Sequence, residues 1–269
     1  MRYVIDHDFH IHSNLSSCAN DPLQTPENIL KFAKNNGLKT ICLTDHYWDE
    51  AVPGVYWEMY TTQNTPHIQQ ALPLPQDEDV SFLFGCEADM DMNLTLGLSP
   101  EKYDLFDFIV IATTHTHCLG CAISDEDHPS DQRRAELWTE RFDKVLNTPL
   151  PFHKVGIAHL ACCFMGWPTE ERFLRVLNMI PSSDMEALFS KAAQLGVGIE
   201  LNCGDIRDAI RHPDDVLRPF RIAKQCGCRF YLGSDAHTQE GLTKMHPLFN
   251  WVIDALDLKE SDKFLIKKG

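Results

Sequence analysis

Positive charge is what this 269-residue sequence has least of. Its 24 Lys and Arg stand against 39 Asp and Glu, a formal net charge of -15. A surface of that sign repels nucleic-acid backbones and anionic membranes, so duplex binding and attachment through a basic face are excluded. No apolar run is long enough to cross a bilayer. Met1 to Asp6 holds no apolar signal region, which predicts a cytoplasmic protein whose ten cysteines are reduced thiols. No second Cys-x-x-Cys follows Cys118-Leu119-Gly120-Cys121, so a closed four-ligand structural zinc is not expected there. Cys162, Cys163, Cys226 and Cys228 read as small buried apolar residues. No Gly-x-Gly-x-x-Gly follows the first apolar run, which argues against a dinucleotide fold. Internal repeats and low-complexity tracts are absent as well.

What is present is an alternation of short β-rich runs with helical patterns. Hydrophobic residues make up 43% and charged residues 23%, ordinary for a globular chain. Strands are expected over Val4–Phe9, Thr40–Thr44, Val80–Gly85, Phe106–Ala112, Lys154–Ala158, Val197–Leu201 and Arg229–Leu232. Helical spacing covers Glu27–Asn36, Asp131–Asn147, Ser183–Leu195, Asp214–Gln225 and Pro247–Leu256. Thr25-Pro26-Glu27 opens the first helix and Gly37 closes it. Short, wholly apolar strands between helices predict a parallel sheet with helices outside it. Seven of them predict an α/β barrel, closed or nearly so, with an open doubly wound sheet as the alternative, and the length suits one domain over residues 1–269. An irregular stretch rich in proline and aromatic residues, about 47–79, follows the second strand. In a barrel that is the ligand-facing end, so the stretch reads as a lid or substrate-recognition loop, with a solvated excursion as the alternative.

Almost every strand runs into a histidine or a carboxylate. The first meets His10-Ile11-His12, whose alternation puts both imidazoles on one side of an extended chain. The second meets Asp45-His46, the third Glu87, the fourth His115 with His117 close behind, and the fifth His159. The seventh meets Asp235-Ala236-His237. Parallel strands would bring these side chains to one end of the barrel, where catalytic residues of such folds gather. Nitrogen and carboxylate donors suit zinc, manganese or iron. There are more donors than one tetrahedral ion needs, so two to three divalent ions are implied. Glu87 is the natural bridging carboxylate. Hydrolysis by metal-activated water follows from such a centre. Asp8 and Asp45 read as acceptors that orient imidazoles. His7, His67, His128, His153, His212 and His246 read as structural or exposed.

In their order, His10-x-His12, Thr44-Asp45-His46, Gly85-x-Glu87, His115, Ala158-His159 and Gly233-Ser234-Asp235-x-His237 resemble the polymerase and histidinol phosphatase (PHP) superfamily. The resemblance implies a distorted (β/α)7 TIM-like barrel with a trinuclear metal site. It implies that His10, His12, Glu87 and Asp235 hold one ion, and that Glu87, His115 and His159 hold a second. His46 and His237 would hold the third with a ligand from the loop after His12. Cys18 falls where some relatives carry histidine and is favoured, with Asp21 as competitor. Glu87, Asp235 and His237 would then act in catalysis. Arg207, after the sixth strand, would clamp a substrate phosphate through its guanidinium fork, with Arg211 a weaker candidate.

The expected activity is that of a phosphoesterase acting on a small phosphorylated metabolite or nucleotide. Histidinol-phosphate phosphatase proper is one alternative. A metal hydrolase of the amidohydrolase type, or a metal-binding module without turnover, are the others. Relatives acting on histidinol phosphate commonly carry aspartate two residues after the fifth-strand histidine. Here Ala161 stands in an apolar run, His159-Leu160-Ala161-Cys162-Cys163-Phe164.

Overall fold

The computed structural model describes residues 1–54 and 62–266. Its strands are β1 (His7–Ile11), β2 (Thr40–Leu43), β3 (His46–Tyr47), β4 (Ser81–Asp89), β5 (Phe108–Ala112), β6 (Val155–Ala158), β7 (Gly198–Asn202) and β8 (Arg229–Gly233). All pairings are parallel, in the order β1–β2–β4–β5–β6–β7–β8. The two-residue β3 carries on where β2 stops and pairs with the upper half of β4. The result is a nearly closed barrel of seven parallel strands, as the strand pattern predicted.

Two boundaries differ from expectation in a way that matters for the site. β1 begins at His7, not Val4, so His10 lies inside the strand. β4 continues through Asp89, so Glu87 is held within a regular ladder and does not sit at a strand end. The residues expected as one helix over 214–225 form two, Pro213–Val216 and Arg218–Gln225. Of the stretch expected as a lid, residues 55–61 lie outside the described residues.

Period-two alternation sorts each strand between two environments. Ile41 and Leu43, Phe84 and Cys86, Ile109 and Ile111, Ile199 and Leu201, and Phe230 and Leu232 pack into the main core with the helices. Phe9, Cys42, Phe108, Val110, Ala158, Tyr231 and Phe264 form a separate cluster that fills the lower barrel. Gly156 leaves room for this plug, because a Cβ there would lie 2.4 Å from the Tyr231 ring. β1 shifts register against β2 between Asp8 and Ile11. Such a bulge re-aims side chains, and it lets neighbouring Phe9 and His10 serve the plug and the upper barrel respectively.

The seam between β1 and β8 is closed by side chains. His7 Nδ1–H donates to Asp6, so its Nε2 accepts from the Leu232 amide at 3.1 Å. Asp8 Oδ1 accepts from the Ser234 amide at 2.9 Å. Above them the backbone takes over, with Asp235 N to His10 O and His12 N to Ala236 O. Below them the chain end fills the gap, with Phe264 N donating to Phe230 O. Asp8, expected to orient an imidazole, instead substitutes for a missing ladder bond. His7 is buried structure.

Outside the barrel, α1 (Pro26–Asn35) is capped by Thr25 and α2 is the short turn Thr65–Ile68. The helix α3 (Asp131–Asn147) turns two arginines inward. Arg141, fully buried, donates to the carbonyls of Met90, Asp91, Thr113 and Ala122. Arg134 donates to His128 O, Thr116 O and Met165 O. These guanidinium groups fasten together the loops that follow β4, β5 and β6. Helices α4 (Glu170–Met179), α5 (Ser182–Leu195) and α6 (Cys203–Arg211) continue the outer layer. No helix of the described residues is long and apolar enough to cross a membrane.

Candidate metal centre

The upper barrel gathers the predicted donors around Glu87. Its Oε1 lies 3.0 Å from His159 Nε2 and 3.9 Å from His115 Nε2. Its Oε2 lies 3.0 Å from His46 Nδ1, 3.4 Å from His12 Nε2 and 3.5 Å from His10 Nε2. One carboxylate therefore presents each oxygen to a different set of imidazoles. Asp235 Oδ1 sits 3.1 Å from His12 Nε2 and 3.5 Å from His10 Nε2.

Among the described residues, three groups of donor atoms are compact enough to hold an ion. They are His10, His12 and Glu87; Glu87, His115 and His159; and His12, Cys18, His46 and His237. The first two have the grouping the resemblance implied, with Asp235 against the first, while the third adds His12 to His46 and His237. Cys18 joins the third group. Asp21 does not: its Oδ1 accepts from Leu23 N and its Oδ2 from Gln239 N, so it braces the loop.

The outer ring nitrogens fix the tautomers. His10 Nδ1 lies 2.7 Å from Glu200 Oε1. His12 Nδ1–H donates to Ser16 Oγ, whose own hydrogen goes to Asp45. His115 Nδ1 lies 2.8 Å from Asp89 Oδ1. His159 Nδ1–H donates to Thr114 Oγ1, because the Thr114 hydroxyl donates to His159 O. His237 Nδ1 lies 2.9 Å from Asp235 O. In all five rings the proton belongs on Nδ1, and the Nε2 lone pair points inward. Buried lone pairs held this close, with His10 Nε2 3.1 Å from His12 Nε2, repel one another unless a cation lies among them. The donor set therefore fits divalent metal ions.

The electrostatics agree. Burial opposes protonation of His10, yet Glu200, Asp235 and Glu87 raise its affinity for a proton well above the ordinary value. The carboxylates that draw a proton to that nitrogen would draw a divalent cation. Burial works against ionised Glu87 too, but His46 and His10 hold its pKa well below the carboxylate range. Burial and the neighbouring His237 push His12 well down. Burial would raise the Cys18 thiol, but hydrogen bonds with His237 and His46 bring it down to about 7.

Backbone strain collects at the same place. His159 and Asp235 both have left-handed backbones, with φ of 32° and 54°. Such conformations cost roughly 1–3 kcal/mol in residues other than glycine. Gly233 is required for another reason. A Cβ there would lie 1.9 Å from Glu200 Oε1 and 2.8 Å from His10 Cβ.

Several residues that build the site were not singled out from the sequence. Glu200 is fully buried and binds His10 Nδ1, the His159 amide and Asn202 Nδ2. Asp89 and Asn202 continue the inward alternation that begins at Glu87 and Glu200. A period-two reading carried past the strand ends would have found both. Thr114, Ser16 and the two α3 arginines carry no comparable signal.

Arg207 is exposed on α6 at the rim, near Gly204, and reaches no metal group. Arg211 is engaged with Asp208 and Glu170. Of the cysteines expected to be buried, Cys163 is exposed and Cys162 half-buried at the turn Cys163–Gly166, and Cys226 is half-buried as the C-cap of the helix Arg218–Gln225. Cys118 and Cys121 pack with Trp48 and Ala122. His117 stacks on Phe164, and burial pushes its pKa to about 3. A cavity of about 780 Å³ lies at the opposite end of the barrel, beside Thr40, Ser81 and Leu265, far from this chemistry.

Comparison with known proteins gives one consistent neighbourhood. A family model described as PHP domain matches residues 8–202. A probable phosphatase of Caldicellulosiruptor saccharolyticus is 25% identical over 239 residues, covering 87% of this chain and 81% of that protein. The crystal structure of histidinol phosphate phosphatase from Lactococcus lactis, complexed with zinc, L-histidinol and phosphate, superposes with a TM-score of 0.61. It is 15% identical and the match covers 91% of this chain and 93% of that one, a likeness of fold.

Proposed function

We propose, from the premise that this chain belongs to the PHP domain family, that it is a metal-dependent phosphoesterase acting on a small phosphorylated compound. The relative described as a probable phosphatase and the fold neighbour crystallised with zinc and phosphate support the reading. The observation that carries it is the common orientation of five histidines. Each is fixed through Nδ1 so that its Nε2 faces a group containing Glu87, Asp235 or Cys18.

His10, His12, Glu87 and Asp235 would hold one ion, and Glu87, His115 and His159 a second. His46, His237 and Cys18 would hold a third. Zinc, manganese or iron suits these donors. Bound there, the ions would supply Lewis acidity and a water deprotonated near neutral pH. The chain's own contribution is placement. Glu87 spans two donor groups, so it fixes their separation. Glu200, Asp45 and Asp89 keep the ring protons away from the reacting side. Asp235 and His237, each 28% exposed, line the open side through which a phosphate ester would arrive. Arg207, at that rim, is placed to take the outer phosphate oxygens as the substrate enters. Ten thiols without a disulfide accord with a cytoplasmic setting.

The test is a hydrolysis panel of phosphomonoesters, cyclic phosphodiesters and amides, run on metal-depleted protein and after adding zinc or manganese. Phosphomonoester turnover that disappears on chelation and returns with metal is expected. Turnover confined to amides would overturn the phosphoesterase reading.

A further inference from the structure

The third donor group differs from the other two in kind. Both of the others contain an oxygen of Glu87, whereas the third is His12, Cys18, His46 and His237, without a carboxylate. His12 can serve only one ion, because its Nδ1 donates to Ser16 and Nε2 alone is free. That Nε2 lies 3.1 Å from Asp235 Oδ1 and 3.4 Å from Glu87 Oε2, so the first group claims it. Two imidazoles and one thiol remain for the third.

The loop that carries the thiol is held in place. Ser13 and Ser16 donate to Asp45, the residue before His46, at 2.6 and 2.8 Å. Ala19 N donates to Ser16 O at 2.9 Å. On the far side of Cys18, Asp21 accepts from Gln239 N at 3.0 Å. Buried Gln24 donates at 3.1 Å to the carbonyl of Ala236, the residue before His237. The segment 13–24 is thus fastened beside His46 at one end and beside His237 at the other, with Cys18 between them. A thiol on such a frame is placed against both imidazoles in advance. Cys18 itself is exposed, so this group is the solvent side of the centre.

We propose that the third group is a zinc-selective position in a centre of mixed metals. A soft thiolate favours zinc, while the groups that share Glu87 also suit manganese or iron. Manganese prefers oxygen donors, and the third group offers none. Three protein donors leave one tetrahedral position open, as in zinc sites that take water or substrate. The loaded chain therefore carries zinc beside Cys18 and accepts manganese or iron beside Glu87. The inference rests on the metal centre of the phosphoesterase reading and assigns the kind of ion at one of its positions.

Zinc binds such donors more tightly than manganese in general, so the test rations zinc. Metal-depleted full chain receives a single equivalent of zinc in saturating manganese. X-ray absorption at the zinc edge should show a sulfur neighbour at about 2.3 Å. That sulfur should vanish in Cys18→Asp, which separates Cys18 from the other thiols. Iodoacetamide labelling of the unsubstituted chain needs no variant: manganese alone should leave Cys18 reactive, and the added zinc should protect it. A zinc shell of nitrogen and oxygen only, sulfur that persists in Cys18→Asp, or equal protection by manganese alone overturns the proposal. Phosphomonoester turnover is assayed on the same samples. Turnover without the sulfur neighbour refutes the zinc position and leaves the phosphoesterase reading intact. A sulfur neighbour in a chain that turns over no phosphate ester supports the zinc position and overturns the phosphoesterase reading instead.

Discussion

Replacing Glu200 by glutamine changes one atom type and no shape, yet it should disable the first donor group. Glu200 Oε1 accepts from His10 Nδ1 at 2.7 Å, while Oε2 accepts from the His159 amide at 2.7 Å and from Asn202 at 3.2 Å. A carboxylate accepts at both oxygens, but an amide accepts at one and donates at the other. If the carbonyl oxygen of the new side chain faces the His159 amide, its NH2 faces His10 Nδ1. His10 must then move its proton to Nε2, the nitrogen aimed at Glu87 and Asp235. If that oxygen faces His10, the buried His159 amide meets a second donor. The second arrangement leaves a buried amide unsatisfied, worth about 1–3 kcal/mol of stability, whereas the first keeps every group paired and puts a proton on the nitrogen that would bind metal. Disturbing the partner of a metal-bound histidine typically lowers affinity about 10–100-fold, or roughly 1.4–2.7 kcal/mol. Competition with a chromogenic zinc chelator reads the affinity, and urea unfolding of metal-free protein reads the stability separately. Zinc affinity for Glu200→Gln equal to that of the parent would refute the tautomer argument.

Three further outcomes follow from the same geometry. Gly233→Ala drives a methyl group to 1.9 Å from Glu200 Oε1 and 2.8 Å from His10 Cβ, so it should reproduce the metal-affinity loss of Glu200→Gln while leaving every donor atom in the chain. The chelator competition checks this, and unaltered affinity would show that Glu200 can move away freely. Arg141→Met strips four buried carbonyls of their donor and should lower the unfolding free energy by at least about 3 kcal/mol in urea titration. A loss within error of zero would mean that other groups fasten those loops. The Cys18 thiol is lowered from 9.0 to about 7, so its thiolate fraction rises as pH increases through 7 and is lost below it. In metal-free protein, iodoacetamide labelling at Cys18, followed by peptide mass spectrometry, should accelerate between about pH 6 and 8 and be suppressed by zinc. Labelling that rises only at the pH of an ordinary free thiol, or ignores zinc, contradicts a place for Cys18 in the third group.

The barrel and the donors were legible in the sequence because both depend on local pattern. Short apolar runs between helical spacings gave the seven parallel strands, and ligand-type residues after them gave the centre. The period-two rule was stopped too early. Carried two residues further it reaches Asp89 from Glu87, and it reaches Asn202 from Glu200. The barrel seam was not legible, since His7 and Asp8 act on residues more than 220 positions away. Asp8 therefore looked like a partner for a ligand when it is a partner for a backbone amide. Arg134 and Arg141 stand on a helix where arginine ordinarily faces solvent, and only the packed loops reveal what they bind. Gly233 could be seen as part of a motif, but its physical reason is the carboxylate that passes beside it.

The central claim is that one buried carboxylate joins two donor groups into a polynuclear centre. Metal content settles it, measured by inductively coupled plasma mass spectrometry after saturation with zinc and removal of loosely bound ions. The parent chain should retain about two to three equivalents, and Glu87→Gln at least one fewer. A parent chain that retains one equivalent or none, or a Glu87→Gln protein that retains as many as the parent, would contradict the account.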